Sequence, residues 1–239
     1  MESEVAARML KRLEYVKIAP RRILDAGSGP PGRALGKRYP AAELIALDFA
    51  LAMLRAAPRS WFRKDAIAIC ADMERLPLAD QTVDLVWSNM ALHWLSDPLP
   101  AFREFARVLA PEGLVMFSTL GPDTLKELRS AAGAARVHAF IDMHDLGDML
   151  VAAGFTAPVM DMEMLGIEYR SGEEGLLSDL RRSGQTSARA DRPRGLAGRA
   201  FRERLRAGLP ARATFEVVYG HAWKANQAAK TVRVFKRMP

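Results

Sequence analysis

Four short stretches carry the side chains that could do chemistry. In RILDAGSGPPG an apolar run ends at Asp25 and opens into Gly27, Ser28, Gly29 and Gly32, the composition of a ligand loop. ELIALD ends at Asp48, whose carboxylate could accept hydrogen bonds from two ribose hydroxyls. AIAICA runs into Asp72 and Met73, a carboxylate for an aromatic amino group and a thioether for a ring face. DLVWSN closes on Ser88 and Asn89, followed by Met90. The chemistry these residues suggest is the holding of a nucleoside.

The glycines at 27, 29 and 32 also spell G-x-G-x-x-G, with Asp48 at about the spacing of a dinucleotide site. Two features argue against a pyrophosphate. Pro30 and Pro31 carry no N–H to donate to it, and Asp25 would set a carboxylate beside an anion. The aminoacyl end of S-adenosylmethionine, with its ammonium and sulfonium, suits the same loop better.

The elements that must position these residues read as an alternation of strands and helices. The strand candidates RILDA, ELIALD, AIAICAD, DLVWSN and LVMFST are separated by helical stretches at 35–39, 50–57 and 99–109. An amphipathic helix over 3–18, with Val5, Met9, Leu13 and Val16 on one face, precedes them. GPDTLKELRSAA and MHDLGDMLVAAGF read as two further helices, the first capped by Asp123 or Thr124 and the second stopped by Gly154. PVMDMEMLGIEYR and TFEVVYGHAW complete seven strands. The expected fold is α/β: a Rossmann-like, open, mostly parallel seven-stranded sheet with helices on both faces, its ligands at the carboxyl ends of the strands. One domain is expected over 1–239, with a core at about 20–170 and 212–224 and a small helical cap inserted at about 172–208, before the last strand.

Composition narrows the partners. Apolar residues make up 49% and charged residues 26%, the balance of a chain with a packed core. No apolar run reaches the roughly 18 residues that span a bilayer, so no membrane association is expected. The single cysteine, Cys70, reads as a buried strand residue and fits a reducing, cytoplasmic compartment. His138, His144 and His221 lack metal-ligand spacing, so no metal is expected. The net charge of +7 is uneven: ten arginines stand against Asp191 and Glu203 between Arg181 and Arg212. That segment, with Arg199, Arg202 and Arg206 foremost, reads as a docking face for an acidic partner. No aromatic interleaving supports nucleic acid.

With these motifs in place, the chain resembles the S-adenosylmethionine-dependent methyltransferase superfamily through DAGSGPPG, ALD, ADMERLPLADQTVDLVWSN and RVLAPEGLVMFST, over about residues 20–120. More narrowly, SNMALHWLSDP, FSTLGPDTLKELR, VHAFIDMHDLGDMLVAAGF and TFEVVYGHAW resemble the malonyl-acyl-carrier-protein O-methyltransferases of biotin synthesis. The resemblance implies S-adenosyl-L-methionine as cofactor and malonyl-acyl carrier protein as substrate. It implies that Asp25, Gly27, Ser28 and Gly29 line the methionine end and that Asp48 takes the ribose. Asp72 and Met73 would hold the adenine, Phe49 and Met53 would pack near the adenosine, and Asn89 and Met90 would face the methyl. Tyr15, His93 and Trp94 are candidates for the acceptor pocket, with a structural role open for each. Pro31 replaces a usual third glycine, and only about twenty residues precede the first strand, so a more open cofactor pocket and weaker affinity are expected.

A malonyl carboxylate is already ionised near neutral pH, so its methylation needs no general base, and no catalytic residue is assigned. In-line positioning alone supplies up to roughly 7–11 kcal/mol in favourable cases. Arginine-hydroxylating assembly factors of respiratory complex I share L-H-W and D-T-L-x-E-L-R. Three functions therefore stay open, in order: a carboxyl methyltransferase for a carrier-bound acid, a methyltransferase for another small molecule, and a non-methylating assembly or binding protein.

Overall fold

A computed structural model describes residues 1–29, 33–56, 66–169, 172–185, 195 and 198–226. Pro30, Pro31 and Gly32 of the loop, and Arg189, Arg192 and Arg194 of the basic segment, lie outside the described residues. Seven strands form one sheet: β1 (Arg22–Ala26), β2 (Glu43–Asp48), β3 (Ile67–Cys70), β4 (Val83–Asn89), β5 (Leu109–Leu120), β6 (Phe155–Glu168) and β7 (Arg212–Lys224), in the order β3-β2-β1-β4-β5-β7-β6. The pairs β2–β3, β1–β2, β1–β4 and β4–β5 are parallel. The sheet is open, with β3 and β6 at its edges.

Position in that order accounts for the burial of each strand. β1 has neighbours on both sides, and Ile23, Leu24 and Ala26 are buried, as a central parallel strand covered on both faces requires. Cys70 differs from expectation: it is exposed, because β3 is the outermost strand and none of its four residues is buried. Its Sγ donates to the Phe49 carbonyl at 3.4 Å.

Eight helices are described: α1 (Glu2–Arg12), α2 (Arg33–Arg38), α3 (Leu51–Arg55), α4 (Leu99–Val108), α5 (Lys126–Ala132), α6 (Met143–Ala152), α7 (Gly172–Arg182) and α8 (Arg199–Gly208). α1 is shorter than its pattern. It tightens to a 3₁₀ turn at Leu13–Tyr15 and becomes extended at Val16, where β-branched Val16 and Ile18 and the following Pro20 disfavour a further turn. Val5, Met9 and Leu13 are wholly buried on one side of it. α4 begins where Asp97 Oδ1 accepts the Leu99 N–H at 2.9 Å, and it buries Ala101, Phe102, Phe105 and Val108. Phe102 meets the Phe117 ring of β5 at 5.3 Å between centroids. Burying one such side chain stabilises the fold by roughly 1.5–3 kcal/mol.

α5 starts differently from the pattern. Its N-cap is Leu125 at φ +55, and neither Asp123 nor Thr124 caps it. The Thr124 hydroxyl instead exchanges hydrogen bonds with the Glu216 backbone of β7, both at 3.1 Å. Gly154, at φ +95, does end α6. The chain divides into two compact units, one of Met1–Ser118, Gly147–Val159 and Gly220–Pro239, the other of Thr119–Leu146 and Met160–Tyr219. α8 belongs to the second, where Arg136 stacks over Phe201 at 4.3 Å. Among the described residues no helix is long and apolar enough to cross a membrane.

Candidate cofactor site

The strand order β3-β2-β1-β4 sets side by side the four carboxyl ends singled out above, all within the first unit. At the end of β1 the chain turns over the end of β2: the Gly27 and Ser28 N–H groups donate to the Leu47 carbonyl at 2.8 and 3.0 Å. Gly27 sits at φ +72, and a Cβ there would lie 2.3 Å from Ala91 Cβ and 3.1 Å from Met73 Cε. Only a glycine allows the loops after β1, β3 and β4 to approach so closely. Met53 Cε of α3 would lie 3.7 Å from a Cβ at Gly29, whose φ is +57.

Asp48 is held from both sides. Its Oδ2 accepts the Gly29 N–H at 2.9 Å and its Oδ1 the Ala50 N–H at 2.8 Å. A carboxylate has about four acceptor positions, so among the described residues one remains on each oxygen. Asp72 Oδ1 accepts the Glu74 N–H at 2.9 Å, a local turn that fixes the carboxylate at the start of the loop after β3. Phe49 is 79% exposed and Met53 43%, apolar surface left open among the described residues.

Asn89 and Met90 depend on a residue that sequence reasoning missed. Ser118, wholly buried on β5 and paired in register with Asn89, donates its hydroxyl to Asn89 Oδ1 at 3.0 Å. Ser118 Oγ in turn accepts the Met90 N–H at 3.0 Å and so holds Met90 at φ +54. Asn89 Nδ2 is thereby turned toward the Glu2 carbonyl of α1, at 3.3 Å. Ser88 is buried and donates to the Ala26 carbonyl at 2.9 Å, which ties β4 to β1 and removes it from ligand contact. Ala91 was also missed, since only its approach to Gly27 gives it a part.

The acceptor-side candidates are less gathered. Tyr15 is 90% exposed and Trp94 56%, so neither is a core residue. His93 is half-buried, its ring 5.2 Å from that of Trp94. Arg199, Arg202 and Arg206 all stand exposed on α8; Arg199 pairs with Glu203 at 2.8 Å and Arg206 with Glu174 at 3.0 Å. Among the described residues no three histidine, cysteine or acidic side chains converge as a metal site would need.

Electrostatics select the ligand. Asp25 is 6% exposed, and its carboxyl is pushed up to about 7, first by burial and then by the charge of Asp48. A cation brought to Asp25 would relieve both effects, whereas an anion would add to them. The N–H groups of Gly27, Ser28 and Gly29 are all donated within the protein, so this part of the loop offers a pyrophosphate nothing. A buried Asp25 carboxyl that favours a cation, a carboxylate at Asp48 held by two backbone N–H groups, and exposed apolar side chains at Phe49 and Met53 are features that suit S-adenosylmethionine.

Comparison with known proteins agrees. The family model described as "Methyltransferase domain" matches residues 24–117. The chain is 49% identical to the malonyl-[acyl-carrier protein] O-methyltransferase of Gallionella capsiferriformans, over 94% of this chain and 84% of that protein. It is 48% identical to the enzyme of the same name from a Methylovorus species, over 94% and 82%. Among solved structures, the YcgJ protein of Bacillus subtilis superposes with a TM-score of 0.66 at 21% identity, covering 92% of this chain and 99% of that one. Phosphoethanolamine N-methyltransferase 2 of Haemonchus contortus, solved with S-adenosyl-L-methionine, gives 0.55 at 22% identity, covering 94% and 53%. These two likenesses show the fold, while the sequence identities over nearly the whole chain show more: the chain belongs to the malonyl-[acyl-carrier protein] O-methyltransferases, S-adenosylmethionine-dependent enzymes.

Proposed function

We propose that this chain methylates the free carboxylate of malonyl-acyl carrier protein, an early step of biotin synthesis in the cytoplasm. The observation that carries the substrate is the 49% identity, over 84% of its length, to a relative of that name. The cofactor reading rests on a buried Asp25 whose carboxyl favours a cationic neighbour. On this reading the chain works as a single methyltransferase domain in which 172–208 is a helical insertion.

When bound, S-adenosylmethionine supplies a sulfonium methyl, and an ionised carboxylate can take it without loss of a proton. The protein's part is therefore to bind and orient. Asp25, Gly27, Ser28 and Gly29 hold the aminoacyl end, Asp48 orders the ribose, and Asp72, Met73, Phe49 and Met53 enclose the base. Asn89 and Met90, fixed by Ser118, border the methyl side, and Tyr15, His93 and Trp94 border the acceptor. The carrier docks on Arg199, Arg202 and Arg206 of α8, whose exposed charge raises the association rate with an acidic protein.

The test is methyl transfer from labelled cofactor to malonyl-acyl carrier protein, malonyl coenzyme A and unrelated carboxylic acids. A methyl ester on the malonyl carrier, formed faster than on the other acids, is the expected result. Transfer to none of the malonyl thioesters would overturn the substrate assignment.

A further inference from the structure

The segment between β3 and β4, residues 71–82, carries Asp72 and Met73 but contains no helix or strand. Pro77 interrupts it, and its backbone groups need partners outside any regular ladder. Two residues of α4, one turn apart, supply them. Glu104 Oε2 accepts the Leu76 N–H at 2.7 Å. Arg107 donates through Nη2 to the Leu76 carbonyl at 3.0 Å, through Nη1 to the Leu78 carbonyl at 2.7 Å, and to Asp80 Oδ1 at 2.8 Å. The pair is itself a two-pronged fork, Nε to Oε1 at 2.8 Å and Nη2 to Oε2 at 2.7 Å. The Arg107 carbonyl then accepts the Gln81 N–H at 3.0 Å. Both backbone polar groups of Leu76, its N–H and its carbonyl, are thus gripped by one ion pair, and Leu76 itself is 5% exposed.

We propose that Glu104 and Arg107 are positioning residues that set the base specificity of the cofactor site by holding the 72–80 loop. The proposal rests on the reading that Asp72 and Met73 hold the adenine. From the gripped Leu76, the chain runs back through a turn in which the Arg75 N–H donates to the Asp72 carbonyl at 3.1 Å and the Glu74 N–H to the Asp72 carboxylate. Asp72 therefore has little freedom that does not pass through Leu76. Lysine cannot replace Arg107 in this role, because a single ammonium lacks the planar fork that reaches Glu104, two carbonyls and Asp80 together.

The experiment compares binding of S-adenosylhomocysteine with that of its analogue lacking the 6-amino group on the base. Titration calorimetry at pH 8 is run on the full chain as wild type, Asp72→Ala, Arg107→Lys and Glu104→Gln, each checked for cooperative melting. Wild type is expected to prefer the amino-bearing ligand by about tenfold or more, the worth of one hydrogen bond to a carboxylate. Asp72→Ala is expected to abolish the preference, and Arg107→Lys to move it toward unity although residue 107 touches no ligand. A purely structural role would weaken both ligands equally and leave their ratio as in wild type; that result for a folded Arg107→Lys overturns the proposal while Asp72 keeps its role. If wild type shows no preference, or Asp72→Ala keeps it, the adenine reading fails and the proposal falls with it. Should Arg107→Lys not fold, Glu104→Gln decides by the same ratio, since it keeps an acceptor for Leu76 and weakens only the anchoring of Arg107.

Discussion

Cofactor binding is expected to be coupled to the ionisation of Asp25. In the ligand-free protein the carboxyl is pushed from 3.8 up to about 7 by burial and by Asp48. That shift disfavours the ionised form by about 4 kcal/mol relative to the unfolded chain. The folded value is the raised one, so the stability that the protonated carboxyl contributes is fully present below about pH 4. It is lost as pH rises through about 7. The ammonium of a bound cofactor reverses the preference, and binding below pH 7 must expel the proton. Titration with S-adenosylhomocysteine in buffers of different ionisation enthalpy is expected to show release of close to one proton well below pH 7, falling toward none well above it. Affinity should weaken by about tenfold for each pH unit below 7. Asp25→Asn is expected to remove this pH dependence and to raise the melting temperature of the ligand-free protein at pH 8. It should also weaken binding by about tenfold to a hundredfold through loss of a charged hydrogen-bond partner. Equal affinity at pH 6 and pH 8, with a binding enthalpy that does not follow the buffer, would refute the reasoning.

Four further outcomes are expected. Gly27→Ala combines φ +72 with a Cβ 2.3 Å from Ala91 Cβ, and should lower stability by about 2 kcal/mol or more as well as abolish cofactor binding, read by melting with and without ligand. Ser118→Ala leaves Asn89 Oδ1 without the serine hydroxyl and should cost about 1–3 kcal/mol in denaturant unfolding. Joint replacement of Arg199, Arg202 and Arg206 by alanine should slow turnover of malonyl-acyl carrier protein and remove its salt dependence while sparing malonyl coenzyme A; equal loss on both substrates would assign α8 a structural part. Hydrogen bonding to Arg107, the largest cause, holds the Glu104 carboxyl below its usual range, so the stability it lends is present above the ordinary carboxylate value and lost as pH falls through the lowered one. Acid unfolding of Glu104→Gln should accordingly show a shallower loss than wild type.

The strand-end residues Asp25, Asp48, Asp72 and Asn89 were legible in the sequence because each follows a short apolar run, and a strand's end is a local property. Gly27 and Gly29, both at positive φ, were legible for the same reason, since the left-handed turn is written in the residue that makes it. Cys70 and Thr124 were misread where a neighbour decided the outcome: the lack of a strand beyond β3 exposes the cysteine, and the Glu216 backbone claims the threonine. Ser118, Ala91, Glu104 and Arg107 gave no local signal at all. Asn89 meets Ser118 across 29 residues and Leu76 meets Glu104 across 28, and such pairings exist only once β4 and β5 are in register and α4 has packed. The sequence by itself determined which side chains stand at the strand ends, because period and turn chemistry act over a few residues. The tertiary structure alone decided the order β3-β2-β1-β4 that sets four separate ends side by side, and the burial that raises Asp25, because both depend on which distant elements come to lie alongside.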